Sequence, residues 1–357
     1  MEFAYDSPEM LENLMCPAFT VNDGMIVHTN RAAAQHQIQP GTPVADIIGI
    51  ENDAYAAFTN GKLCLTVNIE GLPYQATVSN VGKMHLFCLE SDYDEPELRA
   101  FALAAQQLRE PLANAMASTD MLLPTDKGSE QMRHIAQINR SLHQLLRAVS
   151  NMSDAANYAK NQMVRMETHD ATAIFNEILE KAASHAAQAG RTICYQAVQK
   201  PAVCLIDAER IERAVWNMLS NAMKYSPVES HIYAELRLTE KHLSFSVWDS
   251  GKHDSNLPLG DMFHRFLRQP GVEDGRFGIG LGLSIIRSAA AAHNGTVLLE
   301  QTEGNGVKAT MTIKLQRSQK NSFSSPVLLP IDYAGGRDHC LLELSDSLPS
   351  SMYDSNI

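Results

Sequence analysis

Gly278-Ile279-Gly280-Leu281-Gly282-Leu283-Ser284-Ile285-Ile286 decides how this chain is read. Three glycines at alternate positions open an apolar helical run that closes at His293-Asn294-Gly295 and leads into a strand-like stretch. Glycines at a helix start leave backbone N–H groups open, and the helix dipole there favours a negative group such as a polyphosphate. A dinucleotide-binding β-α-β unit does not fit, because no strand immediately precedes the glycines. A Walker phosphate loop does not fit either, since no Gly-Lys-Ser/Thr follows.

Working outward, three further blocks precede this one. Asn217-Met218-Leu219-Ser220-Asn221-Ala222-Met223-Lys224-Tyr225 sets Asn217 and Asn221 one helical turn apart on a shared face, with Lys224 close by. A carboxamide oxygen is a hard ligand suited to Mg²⁺, and an ammonium pairs with phosphate. Val247-Trp248-Asp249-Ser250-Gly251 ends a strand with an acid and a glycine, whose missing side chain lets a base approach the backbone. Met262-Phe263-His264-Arg265-Phe266-Leu267-Arg268 carries two phenylalanines three residues apart. The run Gln269 to Phe277 after it holds Gly271, Gly275 and Arg276, the composition of a mobile lid.

In order and rough spacing the four blocks resemble the GHKL-type ATP-binding domain of sensor histidine kinases. The resemblance implies ATP and Mg²⁺ as ligands. Asn221 would ligate Mg²⁺, with Asn217, Lys224 and Tyr225 lining the nucleotide. Asp249 would accept from the adenine amino group beside Gly251, Arg268 would face the phosphates, and Gly278, Gly280 and Gly282 would form the glycine block. One position departs from the family: His253 stands where a second glycine follows the aspartate, which alters local nucleotide contacts or lid movement.

Upstream, a heptad pattern predicts two helices. Leu98, Ala105, Leu112 and Thr119 alternate with Phe101, Leu108, Ala115 and Leu122. Ile135, Leu142, Val149 and Ala156 alternate with Ile138, Leu145, Met152 and Ala159. Pro124 to Gly128 separates the two, and Ser129 is placed to cap the second. Two seams across a short turn give an antiparallel hairpin, and pairing two hairpins into a four-helix bundle buries more, so a homodimer is expected.

Within the first helix, Gln106-Gln107-Leu108-Arg109-Glu110-Pro111-Leu112 resembles the family's His-Glu-Leu-Arg-Thr-Pro-Leu pattern. Gln106 replaces the phosphate-accepting histidine and Gln107 its acidic neighbour. Glu110 stands where Thr or Asn would orient a water. A carboxamide neither carries phosphate as an imidazole does nor serves as a base, so no catalytic residue is expected at the usual site. His134 and His143 lie on the second helix, and His143 reads first as an ordinary surface histidine.

Residues 8–91 read as a small α+β module. Strands Pro17–Val21 and Met25–Thr29 meet at Asn22-Asp23-Gly24, short helical pieces run from Asn30 to Phe58, and strands Lys62–Ile69, Tyr74–Val78 and Met84–Leu89 follow. That order resembles a PAS sensor domain. The last large domain is expected to hold helices Asp170–Gln188 and Ala208–Lys224, with strands His231–Leu238, Leu243–Asp249, Thr296–Gln301 and Lys308–Leu315.

The predicted fold class is therefore α+β and multidomain. A PAS-like module (1–92) precedes a dimerisation hairpin (93–163), a GHKL-type α/β sandwich (164–316) and a tail (317–357) that packs on its own domain or on a dimer partner. The net charge of −12 argues against nucleic acid or anionic lipid as the main partner, and residues 1–92 hold most of it, with eleven acids against three bases. The six cysteines show no C-x-x-C spacing and read as reduced core thiols. No apolar run is long enough to span a bilayer and the first residues lack signal-peptide order, so a cytoplasmic protein without direct membrane insertion is expected.

Three functions compete. The first is a two-component sensor histidine kinase that transfers phosphate through an atypical acceptor or to another protein. The second is a non-catalytic pseudokinase whose ATP-set hairpin controls a response regulator or a partner kinase. The third, an anti-sigma type serine kinase, is disfavoured by the long hairpin.

Overall fold

Asn22-Asp23-Gly24 closes the first hairpin in the computed structural model. Asp23 (φ 48°) and Gly24 (φ 78°) both adopt the left-handed backbone that two-residue hairpin turns require. The structure describes residues 11–14, 16–49, 52–89, 104, 108, 112–113, 115–119, 130–159, 164–226, 229–249, 281–302, 306–316 and 336–354. The hairpin joins β1 (Ala18–Asn22) to β2 (Met25–Thr29). Short helices α1 (Arg31–Gln35), α2 (Ala45–Ile48) and α3 (Asn52–Ala56) follow, then β3 (Lys62–Ile69), β4 (Leu72–Val81) and β5 (Met84–Leu89). The antiparallel order is β2-β1-β5-β4-β3.

Alternating apolar residues on these strands, among them Phe19, Leu63, Leu65, Val78 and Phe87, close over Ile26, Val44, Ile48 and Phe58. Phe19 stacks on Phe87 with centroids 4.8 Å apart. Buried Asn30 fastens the module's start. Its Oδ1 accepts from the Ala18 and Ala33 amides, and its Nδ2 donates to the carbonyls of Leu11, Leu14 and Cys16.

The break expected at Gly71-Leu72-Pro73 is narrower than predicted. Glu70 and Gly71 make the turn, and β4 already begins at Leu72. Pro73 is tolerated because β5 pairs with β4 only from Ala76 onward.

The second unit contains β6 (Glu167–Asp170), α5 (Ala171–Gln188), β7 (Thr192–Tyr195), β8 (Val203–Ile206), α6 (Ala208–Tyr225), β9 (His231–Leu238) and β10 (His242–Asp249). Then come α7 (Gly282–Ala292), β11 (Val297–Gln301) and β12 (Val307–Lys314). Strands β11-β12-β10-β9 are antiparallel and β7 joins β9 in parallel, while β6 and β8 form a separate pair. Ile232, Phe245, Val247, Met311 and Ile313 meet Phe175 of α5, Trp216 of α6 and Ile286 of α7, which makes a two-layer α/β sandwich.

The two sheets are continuous. Lys62, Leu63 and Cys64 of β3 pair with Leu299, Leu298 and Val297 of β11, producing one sheet of ten strands. Gly61, at φ 94°, makes the close approach possible: a Cβ there would lie 2.2 Å from the Leu299 carbonyl oxygen.

The first predicted hairpin helix lies largely outside the described residues; Leu108, Leu112 and residues 115–119 within it are helical. The second is the thirty-residue α4 (Glu130–Ala159). Its buried face differs from the expected seam. Ile138 and Leu145 are exposed, whereas Met132, Ala136, Asn139, Leu146 and Ser150, all off the seam, are buried beside the seam residue Val149. The reason is the C-terminal segment: α8 (His339–Glu343) and a 3₁₀ turn (Ser350–Tyr353) pack on α4, and Leu342 enters a cluster with Leu112, Met116 and Leu146. Between the two outcomes expected for the tail, residues 336–354 thus pack on their own chain.

Candidate functional site

The site is built along one face of α6. Asp207 caps this helix, its Oδ1 accepting from the Arg210 amide at 3.1 Å, and Ile211, Val215, Met218 and Leu219 bury the opposite face. Asn217 is almost fully buried and donates through Nδ2 to the Arg213 carbonyl at 2.8 Å, which leaves Oδ1 facing outward from the helix. Asn221, Lys224 and Tyr225 are half-buried beyond it. Lys224 Nζ lies 5.9 Å from the Tyr225 ring centre and 3.9 Å from Asp346 Oδ2.

Gly282 begins α7 against this face. A Cβ at Gly282 would stand 2.9 Å from Asn217 Oδ1 and 3.7 Å from Asn221 Nδ2. The fold thereby brings together the Asn217–Asn221 pair and the last glycine of the Gly278–Gly282 block, although about sixty residues separate them in sequence. Such a combination of carboxamides, an ammonium and a helix N-terminus is chemically fit for a metal-bound polyphosphate. Asp249 is the last residue of β10 and buried, in register with Ile232.

Behind the site, His293 ties the end of α7 to the start of α6. Its Nε2 accepts from the Asp207 amide at 2.9 Å, so Nδ1 carries the proton donated to the Ala289 carbonyl at 2.7 Å. Burial holds this imidazole below its ordinary pKa.

Gln106, Gln107, Gly251, His253, Arg268, Gly278, Gly280 and the lid from Gln269 to Phe277 lie outside the described residues. His143 is half-buried rather than a simple surface residue. Its Nδ1 is 2.8 Å from the Asn139 carbonyl, and its ring meets Tyr353 edge-on at 5.0 Å. Sequence reasoning missed Arg213, Glu343 and Asp346, which join α6 to the C-terminal segment. The one available signal was the pair of acids in Leu342-Glu343-Leu344-Ser345-Asp346, where charge interrupts an apolar run.

Residues 206–317 match the family of histidine kinase-, DNA gyrase B- and HSP90-like ATPases. The chain is 32% identical over 206 residues to the probable sensor protein PcoS of Escherichia coli, covering 55% of this chain and 42% of that protein. It is 28% identical over 225 residues to the sensor histidine kinase TmoS of Ectopseudomonas mendocina, covering 60% and 22%. To the sensor protein DivL of Caulobacter vibrioides it is 25% identical over 224 residues, covering 62% and 28%. The chain thus spans less than half the length of these curated relatives.

Among solved structures, full-length ShkA in complex with AMPPNP aligns over 62% of this chain and 46% of that one, at 20% identity and a TM-score of 0.48. ThkA in complex with the response regulator TrrA aligns over 88% and 100%, at 16% identity and a TM-score of 0.40. The C-terminal unit is a GHKL-type ATPase domain. The chain that carries it is similar to sensor histidine kinases over 55–60% of its length.

Proposed function

We propose that this chain is an ATP-binding, histidine-kinase-like protein of a two-component signalling system whose hairpin does not carry phosphate at position 106. The observation that carries the reading is the packing of Gly282 against Asn217 and Asn221, which brings two distant blocks together as the reading requires. Asn221 would ligate Mg²⁺, Asn217, Lys224, Tyr225 and Asp249 would line the nucleotide, and Gly251, Arg268, Gly278 and Gly280 would complete it.

Gln106 and Gln107 favour a regulator over a conventional kinase, since neither amide supplies a nucleophile or a base. ATP would then set the hairpin's arrangement, and the hairpin would act on a response regulator or another kinase. Exposed Leu108, Ile138 and Leu145, all on the predicted seam, support a homodimer formed through the hairpin. The strand order β2-β1-β5-β4-β3, with three short helices between β2 and β3, supports a PAS-like sensor in the first module. A cytoplasmic location agrees with the absence, among the described residues, of any helix long and apolar enough to cross a membrane.

The test is incubation of the full chain with γ-labelled ATP and Mg²⁺, followed by analysis for acid-labile protein phosphate. Bound nucleotide without label, lost in Asn221→Ala, is the expected result. Acid-labile label that disappears in His143→Ala would sink the non-catalytic reading.

A further inference from the structure

Arg213, Asn217, Asn221 and Lys224 follow one another at steps of four, four and three residues, so a single stripe of α6 carries all four. Two acids of the C-terminal segment lie along this stripe. Glu343, fully buried, faces Arg213 through Oε1 and Arg147 of α4 through Oε2 at 3.3 Å. Three residues on, Asp346 Oδ2 lies 2.7 Å from Arg147 Nη1 and 3.9 Å from Lys224 Nζ. Lys224 is thus shared between the nucleotide face of α6 and a carboxylate from the tail.

We propose that Asp346 competes with nucleotide phosphate for Lys224, making residues 336–354 a built-in brake on the ATP site. This rests on the reading of Lys224 as a phosphate-facing residue.

Three features support competition over simple packing. Asp346 cannot follow the lysine, because Arg140 Nε and Nη2 grip the Ser345 and Asp346 carbonyls at 3.0 and 3.1 Å and Gln144 donates to Ser345 at 3.3 Å. Lys224 and Asp346 side chains are 14% and 30% exposed, so water screens their attraction only in part. A polyphosphate brought to Lys224 would also stand close to the Asp346 carboxylate, adding like-charge repulsion to the lost ion pair. Binding linkage is reciprocal: whatever factor the Asp346 contact takes from nucleotide affinity, bound nucleotide takes from that contact. Since Asp346 also holds Arg147, the nucleotide state would reach the hairpin helix through one carboxylate.

The experiment measures ATP and adenosine affinity, with Mg²⁺ and low salt, for the full chain, Asp346→Asn, Lys224→Ala and the double variant, titrating to millimolar ligand. Asp346→Ser serves as a second variant should the Asn form melt early. The expected result is ATP binding about three- to tenfold tighter in Asp346→Asn, adenosine unchanged, and no gain in the Lys224→Ala background. ATP affinity within twofold of the parent in both Asp346 variants overturns the proposal, as does an equal gain for adenosine or a gain that survives Lys224→Ala. If neither the parent nor any variant binds ATP, the nucleotide-site reading itself fails and this inference falls with it. Binding without an Asp346 effect sinks only the brake.

Discussion

Arg213 of α6 and Glu343 of α8 form an ion pair whose side chains are 1% and 0% exposed. Arg213 also donates to Asp154 and Asn151 of α4, so the pair sits where α4, the ATPase domain and the C-terminal segment meet. Breaking one partner of a buried pair strands the other charge away from water, typically at about 3–5 kcal/mol. Glu343→Gln keeps the shape and removes the charge, and leaves Arg147 and Arg213 competing for one amide oxygen. A loss of about 3 kcal/mol in urea unfolding is expected; less than 1 kcal/mol would mean the junction is not held by charge.

Gly61→Ala probes the joint between the two sheets. At φ 94° an L side chain is strained, and its Cβ would lie 2.2 Å from the Leu299 carbonyl oxygen, a backbone atom that cannot swing aside. We expect a loss of about 2 kcal/mol and faster hydrogen exchange at Lys62–Cys64 and Val297–Leu299, with the remainder of each sheet still protected. Unchanged exchange at both strands would show that the pairing does not depend on this close approach.

Much of the fold was legible because its strands are half-buried and alternate. Met25–Thr29, Lys62–Ile69, Met84–Leu89 and His231–Leu238 have the predicted bounds, and the helices of the ATPase domain differ by a single residue at an end. Four-residue strands such as Thr192–Tyr195 and Val203–Ile206 are too short to show a period and were missed. The ten-stranded sheet was invisible for another reason: an edge-to-edge pairing such as β3 with β11 uses backbone groups that every residue carries. The face of α4 that the tail covers was not legible. Periodicity marks Ile138 and Leu145 as apolar, but Asn139 is buried because the Tyr353 carbonyl supplies its partner across two hundred residues. At the site, the fold brings Gly282 against Asn217 and Asn221, while the reach of Asp346 to Lys224 spans more than a hundred residues and has only an acid within an apolar run to signal it.

His293 predicts the pH dependence of stability. Burial lowers its folded pKa below the ordinary imidazole value, with the Ala289 carbonyl and Asp207 opposing in part. The sign follows: the neutral ring's contribution is complete above about pH 6.5 and is lost as pH falls toward the folded value, because the unfolded chain takes up the proton first. His85, also lowered by burial, adds in the same direction. Between pH 7.5 and 5.5 the protein should lose more stability than His293→Gln, which lacks this contribution. Parallel curves for the two proteins would refute the assignment.

Gly282→Ala tests the candidate site without removing any polar group. The new methyl would sit 2.9 Å from Asn217 Oδ1, and that carboxamide is held in place by its own bond to the Arg213 carbonyl. Asn221 Nδ2, 3.7 Å away, is in ordinary contact and would be disturbed only if Asn217 shifts. Ala at the start of a helix is otherwise favourable by up to about 1 kcal/mol, so global stability should change little or rise. Nucleotide affinity should fall about tenfold, because a displacement of a few tenths of an ångström misaims groups that must meet a metal and a phosphate together. The check is calorimetric titration with Mg-ATP beside a thermal melt of the same sample. A lowered melting point with proportionally lost binding would assign Gly282 to packing alone, whereas lost affinity at unchanged melting temperature ties it to the site that Asn217 and Asn221 frame.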